Sequence, residues 1–215
     1  MSIEENTYVE TDLFDAEFDA EQSAALFRKK SIQSHRIMAT FLETGFEYLR
    51  QAAICLSENL AQGGKLLIIG NGGSGCDANH LAIEFMHPII DTRPAYPAIV
   101  LNENANLINA IGNDHDASLC FSAQLPLLAK PNDVLIGYST SGESENLIRA
   151  FEYAKQSKLN SIGILGRNGG RMAALCDYPL IVPSYNIHRV QEAHLQITHM
   201  LWDFTHLLQG SENRL

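Results

Sequence analysis

The sequence predicts an α/β fold built on a mainly parallel, five-stranded sheet. Short apolar runs recur at Leu66–Ile69, Ala98–Leu101, Val134–Tyr138, Ser161–Leu165 and Leu180–Val182. Segments of helical character separate them. A glycine-rich turn, Gly70 to Gly75, joins the first run to a helix. Strands alternating with helices place the chain in the α/β class.

Each element has its own signal. Residues 1–21 carry eight acids and no Lys or Arg, and read as a solvated, flexible arm. Residues 22–215 read as one domain that opens with a helical pair over 22–62. Phe27, Ile37, Met38 and Phe41 mark the first helix, and Gly45 is expected to break it. Phe46, Leu49, Ala53, Leu56 and Leu60 form the seam of the second, which Gly63-Gly64 should cap. Leu66–Ile69 has no polar break, as expected of a strand buried on both faces. Further helical segments are predicted near Asn104–Ile111, Leu119–Leu128, Glu145–Ser157 and Arg171–Leu175. Five strands suggest a flavodoxin-like order, with helices on both faces and ligands at the carboxyl ends of the strands. Ile187 to Leu208 is a helix apolar on most sides, which predicts burial against another subunit.

Composition narrows the function. The chain is 46% hydrophobic and 19% charged, ordinary for a globular protein. A net charge of −10 speaks against a nucleic-acid surface. No run reaches the ~18 apolar residues of a membrane span. The acidic N-terminus does not read as a signal peptide. Cys55, Cys76, Cys120 and Cys176 are scattered without C-x-x-C spacing, so reduced thiols and a cytoplasmic protein are expected.

Three constellations carry chemistry. Gly70, Gly72 and Gly75 fit G-x-G-x-x-G, which raises a dinucleotide site, although a tight strand–helix turn accounts for the same glycines. Ser139-Thr140-Ser141-Gly142-Glu143-Ser144 follows a strand and precedes a helix. Hydroxyls and the free N–H groups of a helix start suit a phosphate without any Lys, although the same letters make an ordinary N-cap and turn. Two such loops at two strand ends favour a phosphorylated small molecule bridging them over a nicotinamide cofactor. His80 and Glu84 lie four apart, hence on one helix face beside the glycine loop. Gln191 and His199 are eight apart, a rise of ~12 Å, so one chain is not expected to present both to a single atom. That spacing points to an obligate oligomer with shared active sites. His87 is a possible neighbour of His80, but Pro88 should end the helix there. His35, His115, His194 and His206 read as solvent or interface histidines.

At these residues the sequence resembles the SIS (sugar isomerase) domain family, and within it the phosphoheptose isomerases. The matching stretches are G-N-G-G-S at 70–74, C-D-A-N-H-L-A-I-E at 76–84, R-P-A-Y-P-A-I at 93–99, G-N-D at 112–114, S-T-S-G-x-S at 139–144 and R-V-Q-E-A-H-L-Q-I-T-H at 189–199. The resemblance spans about residues 22 to 208. It implies a homotetramer of three-layer flavodoxin-like domains that converts sedoheptulose 7-phosphate to D-glycero-D-manno-heptose 7-phosphate through a cis-enediol. By the same implication Ser139, Thr140, Ser141 and Ser144 hold the phosphate. Asn71, Gly72, Gly73, Asn113, Asp114 and Gln191 contact the sugar. Glu84 is the base and His199 the acid, and in zinc-containing relatives His80, Glu84, Gln191 and His199 are the metal ligands. A non-catalytic SIS protein that binds a sugar phosphate or a protein partner is the alternative.

Three positions depart from the family pattern. Pro88 stands where an Arg is usual, Glu143 replaces an Asn inside the serine-rich loop, and His188 replaces an Asp. Arg93 is a candidate for the missing positive charge.

Overall fold

The computed structural model describes residues 20–90 and 92–211, so all but the last two residues of the acidic arm lie outside it. Five strands, β1 (Leu66–Gly70), β2 (Ala98–Val100), β3 (Val134–Ser139), β4 (Asn160–Gly166) and β5 (Tyr178–Val182), form one sheet in the order β2-β1-β3-β4-β5. Every pairing is parallel. Every residue of β1 and β3 is buried, which explains their unbroken apolar runs.

Side-chain alternation divides the core in two. Leu66 and Ile68 face a core shared with α1 (Ala20–Ala61), α2 (Gly73–Met86) and α6 (Ile187–Leu208). Leu67 and Ile69 face the other, shared with α4 (Leu125–Leu128) and α5 (Glu145–Ser157). The result is three layers. The amphipathic α3 (Ala105–Asp114) buries none of its residues in this chain.

Two expectations about helices are corrected. The predicted pair over 22–62 is one 42-residue helix. Gly45 does not break it: it is buried, and the Phe41 ring one turn earlier occupies its empty side, where a Cβ would come within 2.7 Å. Tertiary packing here overrides glycine's poor helix propensity. The helix does end at Gly63-Gly64, where Gly63 has φ +81° and the Gly64 N–H donates to the Asn59 carbonyl. The last helix is buried against its own chain. Val190, Ala193, Ile197 and Leu201 of α6 enter the core that holds Leu49, Ala53 and Leu56 of α1. Among the described residues no helix is long and apolar enough to cross a membrane.

Register decides where the loops meet. Ile69 pairs with Gly137 and Gly70 with Tyr138, so β1 and β3 end side by side. The glycine loop and the serine-rich loop leave from adjacent strand ends.

Candidate active site

The glycine loop is shaped by its backbone. Asn102, just after β2, brackets Gly70, accepting its N–H at 3.3 Å and donating to its carbonyl at 2.5 Å. Gly72 takes φ +52° as the N-cap of α2, with open space where a Cβ would project. Gly73 has a different reason. A Cβ there would lie 2.3 Å from Gln191 Nε2, so the α6 side chain rests directly on the loop.

The serine-rich loop is braced from β4. Ser139 Oγ accepts the Gly142 N–H at 2.9 Å, and Gly142 takes φ +67°. A Cβ on Gly142 would come within 1.9 Å of the Gly169 carbonyl oxygen, and the Gly142 carbonyl accepts the Met172 N–H at 3.1 Å. Ser141 Oγ accepts the Glu143 N–H at 3.2 Å. Ser144 is the N-cap of α5, and its hydroxyl makes no capping bond. Thr140 and Ser144 are half-buried.

Glu143 turns away from the loop. Its carboxylate accepts from the Arg171 backbone N–H at 2.9 Å and from Arg171 Nε at 3.0 Å. Arg171 also reaches Glu145 at 2.8 Å. The Arg171 guanidinium holds the exposed Glu143 carboxyl below the usual range. The acid that departs from the family pattern therefore has its own partner.

One pair of side chains ties the loops together. Asn71 and Asn146, in the first turn of α5, exchange two amide hydrogen bonds of 2.9 Å each.

The ionisable centre comes from two helices. His80 Nε2 lies 3.1 Å from His199 Nε2 and 3.2 Å from Glu84 Oε1, and one ligand atom from each of the three residues fits within 4.8 Å. All three side chains are partly open to solvent. Two nitrogens so close cannot both carry a proton between them. Two donors of a tetrahedral zinc, with bonds of about 2.0–2.1 Å, lie roughly 3.3 Å apart, so the two measured separations fit an N,N,O metal site.

His199 meets His80 and Glu84 of the same chain, and Gln191 meets Gly73 of the same chain. Eight positions apart on α6, Gln191 and His199 thus meet different groups of this chain, as their spacing predicts. Asn113 and Asp114 are exposed at the end of α3, and the Asn113 amide donates to the Asp114 carboxylate at 2.8 Å.

Two bonds, one to β3 and one to α2, hold α6 in place. Tyr138 and Thr198 share a hydroxyl hydrogen bond of 2.7 Å, and Trp202 Nε1 donates to the Glu84 carbonyl at 2.8 Å. Beneath lie a buried imidazole and a half-buried carboxyl. His194 is fully buried, with Nδ1 3.9 Å from Asp77 Oδ2. Burial pushes the His194 imidazole down to about 4 and the Asp77 carboxyl up to about 6.

Three smaller readings need correction. His194 and His206 are core residues, not solvent or interface ones, because the inward face of α6 carries them. His206 spans the Trp202 and Pro94 carbonyls at 2.9 and 3.0 Å. Arg93 is not a free cation. It is 5% exposed, bonds Asp203 at 2.6 Å and stacks 4.2 Å over the Trp202 ring. Pro88 does end α2, at Met86, leaving His87 exposed.

Asn102, Asn146, Arg171 and Trp202 escaped the sequence reading. None has a diagnostic neighbour in the chain. Each matters through a partner at least 26 positions away.

Comparisons with known proteins agree with this architecture. A family model of the SIS domain matches residues 32–166. A phosphoheptose isomerase of Trichlorobacter lovleyi is 43% identical over 178 residues, 82% of this chain and 91% of that protein. One from Burkholderia pseudomallei is 42% identical over 171 residues, 79% and 87% of the two chains. Among solved structures, a phosphoheptose isomerase from Francisella tularensis superposes with a TM-score of 0.80 at 33% identity, covering 87% of this chain and 98% of that one. Phosphoheptose isomerase GmhA from Neisseria gonorrhoeae gives 0.77 at 34% identity, covering 89% and 98%.

Proposed function

The chain belongs to the SIS domain family, within its phosphoheptose isomerases, and from that membership we propose that it isomerises sedoheptulose 7-phosphate to D-glycero-D-manno-heptose 7-phosphate for heptose biosynthesis. The observation that carries the reading is the meeting of His80, Glu84 and His199 in one cluster, in a chain whose two anion-ready loops leave from adjacent strand ends.

The phosphoryl group sits at the loop after β3. Ser139, Thr140, Ser141 and Ser144 hold it, helped by the positive end of α5. Asn71, Gly72, Gly73, Asn113, Asp114 and Gln191 contact the sugar. The Glu84 carboxylate removes a proton from C1 while the carbonyl oxygen at C2 gains one, giving the cis-enediol. Glu84 then returns its proton to C2 as the C1 hydroxyl gives one up. His199 handles the oxygen protons. Each positioned acid or base contributes ~10²–10⁴ in rate.

His80, Glu84 and His199 are the residues that would hold a Zn²⁺ ion, with Gln191 as a fourth supplied from a neighbouring subunit. When bound, such an ion supplies Lewis-acid polarisation of the carbonyl. We place the enzyme in the cytoplasm as a homotetramer with sites shared between subunits. The amphipathic α3, which has no fully buried residue in this chain and carries Asn113 and Asp114 at its end, supports that assembly.

The test is direct. Purified protein with Zn²⁺ should convert sedoheptulose 7-phosphate to the aldose, followed by NMR of the anomeric protons. Binding of the sugar phosphate without turnover would replace this reading with that of a non-catalytic SIS protein.

A further inference from the structure

In an α-helix the carbonyl of residue i accepts the N–H of residue i+4. For Glu84 that donor would be residue 88, which is proline and has none. The last bond of α2 runs from the His87 N–H to the Ile83 carbonyl, at 2.8 Å. His87, with φ −139° and ψ 66°, has already left the helix, as a residue before proline must. The Glu84 carbonyl is therefore orphaned by the sequence. Its partner is the indole N–H of Trp202, at 2.8 Å.

Trp202 is well fixed for that task. It is 6% exposed and is the only tryptophan in the chain. Arg93 stacks on its ring at 4.2 Å and bonds Asp203, the next residue on α6. The His206 ring packs against it with centroids 4.7 Å apart. Trp202 also lies three residues after His199, so one helical turn of α6 carries both the imidazole beside the Glu84 carboxylate and the donor to its main chain.

We propose that Trp202 is a positioning residue for Glu84, replacing across the helix–helix interface the backbone hydrogen bond that Pro88 removes and so fixing the Glu84 carboxylate relative to His199. This rests on Glu84 being the base. Small displacements of a catalytic group cost rate more than binding, so the loss should fall on kcat.

The experiment compares four proteins: the wild type, Trp202→Phe, Pro88→Ala, and the double variant. Phenylalanine keeps an aromatic ring but cannot donate. Alanine at 88 restores an N–H that can extend α2 to the Glu84 carbonyl. Trp202→Phe should lower kcat for sedoheptulose 7-phosphate about tenfold with KM within about twofold. Pro88→Ala in the same chain should recover most of that loss. A packing defect at 202 would be indifferent to residue 88, so the rescue separates positioning from bulk. An unchanged kcat in Trp202→Phe, or a loss of equal size with and without Pro88, overturns the proposal. An inactive wild type would instead fail the isomerase reading, which keeps the two failures distinct.

Discussion

The two ends of the site are built differently. The serine-rich loop is local work: six consecutive residues, a glycine at positive φ, and a turn from the next strand packed against it. The ionisable centre is assembled at long range, from α2 and from a helix more than 100 positions later. Backbone makes the first end and converging side chains the second. The first therefore tolerates little change in backbone shape, while the second depends on how α2 and α6 are held together.

The sharpest way to separate the ends is Glu84→Gln. It keeps size and hydrogen-bonding capacity but removes the carboxylate proposed as the base. Turnover should fall ~10²–10⁴-fold with the KM for the sugar phosphate changed far less. Full activity in a steady-state assay would remove Glu84 from the chemistry.

A pair of glycine substitutions comes next. Gly142→Ala drives a Cβ to within 1.9 Å of the Gly169 carbonyl at a φ of +67°, and main chain cannot step aside. It should lower stability by ~2–3 kcal/mol and raise KM, read by thermal denaturation and kinetics. Gly73→Ala meets the tip of the Gln191 side chain at 2.3 Å, which can swing away. Stability should change by less than ~1 kcal/mol. Equal losses in both variants would erase the distinction between the two ends.

A pH effect that nearly cancels in the wild type lies under the ionisable centre. Between about pH 4 and 6.5 the unfolded chain protonates His194 while the folded chain withholds the proton, so this group makes stability rise with pH. Asp77 works the other way. Its folded carboxyl keeps a proton up to about 6, against an ordinary value of 3.8, so stability falls as pH rises through that window. The two slopes oppose each other. Asp77→Asn should expose the His194 slope, a loss on the order of 2 kcal/mol on going from pH 7 to 4 by urea titration. His194→Gln should reverse the sign, and parallel curves for the two variants would refute the balance.

The same contrast explains what was legible in the sequence. β1, β3 and the loops that follow them could be read because their signals are contiguous: apolar runs, then glycines or hydroxyls. His80 and Glu84 were linked by a four-residue spacing. No spacing ties His199 to them; its role entered through resemblance, since nothing periodic says which helix will cross α2. Gly45 was misread because its partner, the Phe41 ring, is a packing fact. His194 and His206 were misread because helical period gives a face but not what covers it. Glu143 reads in the sequence only as a departure from the family pattern, because its partner Arg171 lies 28 residues on.

The doubled amide contact between Asn71 and Asn146 has a last consequence. Because it spans the two loops without help from a ligand, the gap between them belongs to the protein and is set in advance, like the jaws of a locked caliper. A molecule that touches both loops must therefore match an opening the protein has already set.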